Sequence, residues 1–317
     1  MKISICVINK NSEKTIERSL RSVLDQIDNR FEVVVVDEST DDSPEILKKL
    51  ELEFPDKLKP YFLGTQTLNS IGVARNMSII KSTGAYCIMH IDCDDIWFPY
   101  INYFADVFLE IEKHVKKDFL LAGHQINMAK RDFLLSVGPY QDIKHGEDRD
   151  LWMRLAKRCQ YMPIDHVAFF ERLPLDSKTN KIKAIKRLYW SVVDEIRGGK
   201  KFKNYVYELF EYLQHLHTIL KLLRVLFYPI AKVESRKFTK IETSQYFENA
   251  SEWNSYKKRH FGTYSEIALI WGFPQSLTFL SSRAAQDIFK NKRASKKIEE
   301  ILIEKKFSNK SGAKNEK

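Results

Sequence analysis

The chain has 317 residues, a length that can bury one large core or two smaller ones. Hydrophobic residues make up 44% of it and charged residues 30%, proportions that exclude a chain dominated by disorder. The formal net charge of +10 favours anionic partners, namely phosphates, nucleic acid or an acidic membrane surface, without choosing among them.

The start of the chain predicts a β-α-β unit. Residues 3–8 and 31–36 are short runs rich in β-branched side chains, and residues 16–24 carry apolar side chains at helical spacing. Asn11 and Ser12 are candidates to cap that helix. Because the two strands are continuously apolar instead of alternating, they predict a parallel sheet with helices on both faces.

The same alternation of elements continues to residue 91. Ser43-Pro44 predicts a helix start, because proline suits the first helical turn. We expect a strand over 60–63, a helix over 70–81 and a buried strand over 85–91. The last strand stops abruptly in an acidic run, and ligands of open parallel sheets bind beyond the carboxyl ends of the strands.

Three acidic clusters are candidates for chemistry. They are Asp37-Glu38 after the second strand, Asp92, Asp94 and Asp95 after the strand over 85–91, and Glu147-Asp148 at a predicted helix start. Any single cluster can be structural, because acidic residues are common in turns and at helix starts. A purely structural role is less convincing for Asp92, Asp94 and Asp95. Three carboxylates within four residues repel one another unless a cation or a hydrogen-bond donor lies among them. Carboxylate oxygens suit Mg²⁺ or Mn²⁺, which often bridges to substrate phosphates, so a metal-bound diphosphate is the expected ligand.

Several short stretches together resemble family 2 glycosyltransferases of the GT-A fold. In order along the chain they are residues 4–11, 33–41, 73–76, 82–86, 92–95 and 145–155. The resemblance covers about residues 1–175, and it rests on the order and spacing of the motifs, because a lone Asp-x-Asp is a weak pattern.

The resemblance implies an α/β GT-A domain with a mostly parallel sheet. It implies inverting transfer of a sugar from a UDP- or GDP-sugar to the hydroxyl of a glycan or lipid-linked acceptor, assisted by Mn²⁺ or Mg²⁺. Processive polysaccharide synthases of this family add a Gln-x-x-Arg-Trp motif. Arg187 and Trp190 do not reproduce it, because the glutamine and the spacing are missing, so we expect single additions.

The resemblance also implies roles for residues on the donor side. Asp37 and Glu38 would read the base of the nucleotide, with Asp37 the closer contact. Arg75 corresponds to the family arginine near the nucleotide, and Asn76 is its neighbour. Asp92 would lie near the ribose and the metal.

Roles at the reacting centre follow from the same resemblance. Asp94 would ligate the metal directly, with Asp92 beside it, and Asp95 would support the loop or the donor sugar. Asp148 would act as general base, because inverting transfer needs a carboxylate that takes the proton of the acceptor hydroxyl. Glu147 would orient Asp148 or the acceptor.

The second half of the chain has no match to the family and is interpreted from its composition. We place the GT-A domain at residues 1–178, a helical extension at 179–304 and a disordered tail at 305–317. The extension contains an apolar stripe of helical spacing formed by Leu209, Leu213, Leu216, Leu220, Leu223 and Phe227. The stripe is expected either to pack on the first domain or to dock on an anionic membrane that presents a lipid-linked acceptor.

Two other functions are compatible with parts of the sequence. A nucleotidyltransferase that forms sugar nucleotides would want a glycine-rich phosphate loop after the first strand, but residues 9–13 contain no glycine. A non-catalytic binder of nucleic acid or of an anionic surface would explain the charge, but no nucleic-acid motif accompanies it, so we expect no nucleic-acid partner.

The four cysteines form no C-x-x-C pair, and residues 3–8 are too short for a signal-peptide core. We therefore expect a cytoplasmic protein, peripheral at most on the inner face of the membrane.

Overall fold

A computed structural model describes residues 1–64, 68, 70–123, 126–144, 146–173, 180–211, 218–238, 260–280 and 282–289. The predicted tail at 305–317 lies outside the described residues, as do Leu213 and Leu216 of the predicted stripe.

The strands of the described residues form one large sheet and one small one. The strands are β1 (Ile3–Asn9), β2 (Phe31–Asp37), β3 (Leu58–Phe62), β4 (Tyr86–Ile91), β5 (Asp95–Trp97), β6 (Leu120–Ala122), β7 (Asn127–Lys130), β8 (Tyr161–Pro163) and β9 (Phe170–Arg172). The seven-stranded sheet has the order β3-β2-β1-β4-β7-β6-β8. Its pairings are parallel except those of β7 with β4 and β6, so the prediction of a mostly parallel sheet is confirmed. Strands β5 and β9 pair separately as an antiparallel ribbon.

Helices cover both faces of the large sheet. They are α1 (Ile16–Leu24), α2 (Ser43–Glu53), α3 (Ile71–Lys81), α4 (Ile101–His114), α5 (Arg131–Val137), α6 (Glu147–Lys157), α7 (Asn180–Arg197), α8 (Phe202–Glu211), α9 (Thr218–Ser235), α10 (Tyr264–Trp271) and α11 (Arg283–Ile288). Helices α1, α2 and α4 share a buried core with one face of the strands, and α3, α5 and α6 share a second core with the other face. Both faces of β1 and β2 are therefore buried, which is why these strands are continuously apolar.

The ends of several elements follow local chemistry. Helix α2 begins at Ser43 with Pro44 in its first turn, as predicted. Ser70 caps α3 by accepting a hydrogen bond from the amide of Val73. The expectation that Asn11 or Ser12 caps α1 is wrong, because the helix begins at Ile16 after Thr15. The side chain of Asn11 instead accepts from the amide of Thr40, which ties the loop after β1 to the loop after β2.

The second half of the chain contributes to two different places. Helices α7, α8 and α9 surround a small core of their own, which contains Val192, Val193 and Tyr205. Helices α10 and α11 pack into the core of the first half, where Phe289 is fully buried. The amide of Asp165 donates to the carbonyl of Gly262 in the same region. Helices are thus observed in the described parts of the predicted extension, while its bounds and the domain boundary near residue 178 stay predictions. Across the described ranges, no helix is both long enough and apolar enough to cross a bilayer.

Candidate active site

A cleft of about 1110 Å³ opens at the carboxyl ends of β1, β2 and β4. The loops after these strands, the start of α3 and one face of α7 line it. The position is the one expected for a ligand of an open parallel sheet, because loops and helix N-termini converge there.

Three carboxylates gather beside this cleft. Each of Asp92, Asp94 and Asp95 offers an oxygen that lies within 4.8 Å of the oxygens of the other two. Asp92 and Asp94 line the cleft, whereas Asp95 is fully buried at the start of β5. Burial raises the pKa of Asp95 to about 6, although Arg172 acts in the opposite direction. These oxygens fit a hard divalent cation, which would relieve their mutual repulsion.

Arg172 on β9 contacts all three carboxylates. It lies opposite Asp95 in the antiparallel ribbon, and its Nε donates to Asp95 Oδ1 across 2.9 Å. Its Nη2 lies 3.6 Å from Asp92 Oδ2 and 3.8 Å from Asp94 Oδ1. The guanidinium therefore offsets part of the negative charge that the three carboxylates concentrate.

Arg75 joins the carboxylates to the start of α6. Its Nε donates to Glu147 Oε1 across 2.9 Å, and its Nη2 lies 3.5 Å from Asp92 Oδ1. Arg75 and Glu147 are both buried. One network thus connects the predicted metal carboxylates, the predicted nucleotide arginine and the predicted acceptor-side glutamate.

The two acidic residues at the end of β2 differ in position. Glu38 lines the cleft, pairs with Lys10 at 3.3 Å and accepts from the amide of Leu68. Asp37 is 2% exposed and does not line the cleft. Its Oδ1 accepts from Asn9 and Ser39, each at 2.7 Å. Of this predicted pair, Glu38 is therefore the one that a ligand in the cleft can reach directly.

Asn76 and Asp148 lie outside the lining of the cleft. The side chain of Asn76 donates to the carbonyl of Tyr140 and accepts from its amide, so it holds the segment before α6 against α3. Asp148 is half-buried in the first turn of α6, and its Oδ1 accepts from the amide of Arg149. It adjoins the network through Glu147, its neighbour in sequence. The roles given to both residues stay predictions.

The first half of the chain matches a known family. Residues 4–150 match the family model described as glycosyl transferase family 2. This part of the chain belongs to glycosyl transferase family 2. The three carboxylates, Arg75 and most of the residues that line the cleft lie within the matched part of this glycosyltransferase domain.

Two proteins are similar in sequence to parts of the chain. An uncharacterized glycosyltransferase of a Nostoc species is 37% identical over 101 residues, which are 32% of this chain and 30% of that protein. The chain thus spans about a third of the length of that relative. An uncharacterized protein of Mycobacterium tuberculosis is 25% identical over 244 residues, and the match covers 61% of this chain and 76% of that protein.

A solved structure shows the shared fold. It is a mannosyltransferase from Pyrobaculum calidifontis, determined in complex with GDP-Man and Mn²⁺. The two chains superpose with a TM-score of 0.51 at 16% sequence identity, and the likeness covers 81% of each. The GT-A fold implied by the sequence motifs is confirmed.

The cleft of the glycosyltransferase domain also contains residues that the sequence did not indicate. Arg172 reaches the carboxylates only because β9 pairs with β5, a long-range contact that no local pattern signals. Lys186, Arg187 and Trp190 line the cleft from α7, beyond the residues that match the family. Their helical spacing places them on one face of α7, and this is the one signal that could have found them.

Proposed function

We propose that this protein transfers a sugar from a UDP- or GDP-sugar to a hydroxyl of a glycan or lipid-linked acceptor, with inversion at the anomeric carbon and with a divalent cation. The observation that carries the proposal is the group of Asp92, Asp94 and Asp95 beside a cleft in a glycosyl transferase family 2 domain. The complex of the Pyrobaculum calidifontis mannosyltransferase with GDP-Man and Mn²⁺ supports this donor class and this kind of cofactor.

The carboxylates hold the cation in this proposal. Asp94 would bind it directly, Asp92 would bind beside it, and Asp95 supports their loop through its ion pair with Arg172. When bound, Mn²⁺ or Mg²⁺ would stabilise negative charge on the diphosphate. Arg75 adds positive charge at Asp92, close to the same phosphates.

The remaining residues hold the two substrates. Glu38 contacts the nucleotide at the end of β2, and Asp37 orders that loop through Asn9 and Ser39. Asp148 takes the proton of the acceptor hydroxyl while that oxygen attacks the anomeric carbon. The bond from that carbon to the diphosphate breaks on the opposite side, and the nucleoside diphosphate leaves with the electron pair. Inversion follows because a single displacement occurs.

The first experiment screens UDP- and GDP-sugars for release of nucleoside diphosphate with Mn²⁺ and with Mg²⁺. We expect one donor class to be used, and Asp94→Ala to abolish the metal-dependent rise in melting temperature that the donor causes. Asp132→Asn is the matched control, because Asp132 is a 98% exposed acidic residue on α5. Donor binding by Asp94→Ala equal to that of the control would refute the metal assignment.

The second experiment tests the general base. Asp148→Asn should keep the melting-temperature rise with donor and metal but lose transfer, since the amide cannot take the proton. Normal turnover by Asp148→Asn would show that another group is the base. Loss of donor binding would instead assign Asp148 to the donor side.

We also propose a peripheral contact with the anionic inner face of a membrane. An apolar ridge on α9 supports it, with exposed side chains spaced by three or four residues: Ile219, Leu222, Leu226, Ile230 and Val233. Lys232 is exposed on the same helix, and Arg236 is exposed directly after its end. A ridge of this kind with lysine and arginine around it is typical of helices that lie in the interface of an anionic bilayer.

Sedimentation with vesicles tests the membrane contact. The protein should bind vesicles that contain phosphatidylglycerol more strongly than pure phosphatidylcholine, and Leu226→Glu with Ile230→Glu should remove most of that binding. The matched control is Leu52→Glu, because Leu52 is 83% exposed on α2. Equal sedimentation of the α9 variant and the control would refute the contact.

A further inference from the structure

The side of the cleft formed by α7 is basic and aromatic. Lys186, Arg187 and Trp190 line it from α7, and Lys144 lines it from the segment before α6. We propose that these four residues, the α7 wall, bind a phosphate group carried by the acceptor. The inference rests on the proposed function and names the chemical class of the acceptor.

Lys144 fixes the position of this wall. Its Nζ lies 3.5 Å from the centroid of the Trp190 ring, and its amide donates to Asp194 Oδ2 across 2.9 Å. Asp194 is buried and pairs with Arg197 at 2.8 Å. Helix α7 is thus attached at two points to one residue, Lys144.

The attachment places the α7 wall on the acceptor side of the cleft. Lys144 precedes Glu147 by three residues, and Asp148, the proposed base, follows directly. Glu38 and Lys10 lie on the loops after β2 and β1 instead, where the nucleotide is proposed to bind. A group held by the α7 wall would therefore belong to the molecule that Asp148 deprotonates.

The cations that α7 contributes to the wall are exposed. Lys186 and Arg187 form no ion pair within the part of the chain that the structure describes. Arg75 and Arg172, near the donor carboxylates, are each paired with two or more acidic groups. Like charges brought together without a counter-charge repel one another, so they favour an anionic ligand.

The charge of the donor does not account for the α7 wall. The diphosphate of a sugar nucleotide carries about two negative charges, and a divalent cation neutralises them. Lys10 and Lys14 already line the other side of the cleft. A phosphate on the acceptor would meet two lysine ammonium groups and one arginine fork, which are the side chains that bind phosphate best. The Trp190 ring beside them offers a flat apolar surface to the rest of the acceptor.

Ligand-observed NMR tests the proposal with sn-glycerol 3-phosphate as the probe and glycerol as its uncharged counterpart. The protein is first saturated with its nucleoside diphosphate and Mg²⁺. We expect the phosphate probe to bind and glycerol not to bind. Lys186→Gln with Arg187→Gln should weaken binding of the probe at least about tenfold, since each lost charge contact with a phosphate removes on the order of 1 kcal/mol.

Lys48→Gln with Lys49→Gln is the matched control, because it removes the same charge from exposed positions on α2. Equal probe binding by the two double variants overturns the proposal. Loss of the nucleotide-induced melting-temperature rise in Lys186→Gln with Arg187→Gln also overturns it, because the cations would then serve the donor. Failure of the wild type to bind any nucleotide would instead count against the proposed function itself.

Discussion

Arg75 and Glu147 form a buried ion pair in which Nε donates to Oε1 across 2.9 Å. The two side chains are only 10% and 7% exposed, and they stand 72 positions apart in the chain. Burial raises the pKa of Glu147, and Arg75 acts in the opposite direction. Because neither charge is well hydrated, each depends on the other for its stabilisation.

Glu147→Gln should therefore lower the free energy of unfolding by about 3 kcal/mol, because it leaves Arg75 buried beside a neutral group. Urea unfolding at neutral pH measures the change. Asp132→Asn, at an exposed position, should leave the unfolding midpoint where it is. A midpoint for Glu147→Gln equal to that of the control would mean that water already reaches the pair.

A second buried carboxylate, Glu32, joins three stretches of chain under β1 and β2. Its oxygens accept from the hydroxyl of Ser4, from the amide and hydroxyl of Thr83, and pair with Lys2 at 2.7 Å. Burial by itself would raise the pKa of Glu32, but these donors outweigh it and lower the pKa to about 2.

The free energy of unfolding should fall as the pH is lowered, partly because Glu32 becomes protonated. The pKa of Glu32 is lower in the folded protein than the ordinary value of 4.5. Its contribution to the free energy of unfolding is therefore complete above pH 4.5 and disappears as the pH falls towards 2. Glu32→Gln should lower the free energy of unfolding by about 3 kcal/mol at pH 7, and the difference from wild type should shrink as the pH falls from about 5 towards 2. Urea midpoints across that range check it.

Glu53→Gln is the comparison for Glu32, because the Glu53 carboxylate pairs with Arg21 at the surface. It should change the midpoint much less, since exposed ion pairs contribute little. If the unfolding midpoints of wild type and Glu32→Gln differed by the same amount at every pH, the proposed titration of Glu32 would be contradicted.

The sheet and the donor side of the site could be predicted because their signals are local. Runs such as Phe31–Asp37 are apolar enough to identify a buried strand, and the three carboxylates lie within four residues of one another. The contacts of Arg172 and of α7 could not be predicted, because they depend on the pairing of β9 with β5 and on the attachment of Lys144 to Trp190. The resemblance favours Asp37 over Glu38 as the contact to the base. Which of the two lines the cleft is a property of the folded loop, which buries Asp37 and leaves Glu38 at the wall of the cleft.

Arg172 leads to a prediction about metal binding that needs no substrate. Its guanidinium lies within 4 Å of Asp92, Asp94 and Asp95 and competes with a cation for the same carboxylates. Arg172→Gln should therefore increase the rise in melting temperature that Mn²⁺ causes, because the unpaired carboxylates attract the ion more strongly. Thermal unfolding with and without Mn²⁺ measures it, and a smaller rise than in wild type would show that Arg172 helps to bind the ion.

Gly72 in the first turn of α3 is packed against the segment that precedes α6. A Cβ at this position would overlap the backbone oxygen of Gln141 and would lie 3.4 Å from the Cβ of Tyr140. The hydrogen bonds between Asn76 and Tyr140 hold the same two stretches together one turn further along the helix. The close approach of backbone to α3 therefore requires glycine at this position.

Gly72→Ala should destabilise the protein by about 2 kcal/mol, the usual range for a side chain forced into packed surroundings, even though alanine is intrinsically the better helix former by about 1 kcal/mol. Urea unfolding of Gly72→Ala, Asn76→Ala and the double variant measures the effect. Because both substitutions loosen the same contact, the second should cost less in the presence of the first. A Gly72→Ala protein more stable than wild type would mean that helix propensity outweighs the contact, and that the segment before α6 does not pack this closely on α3.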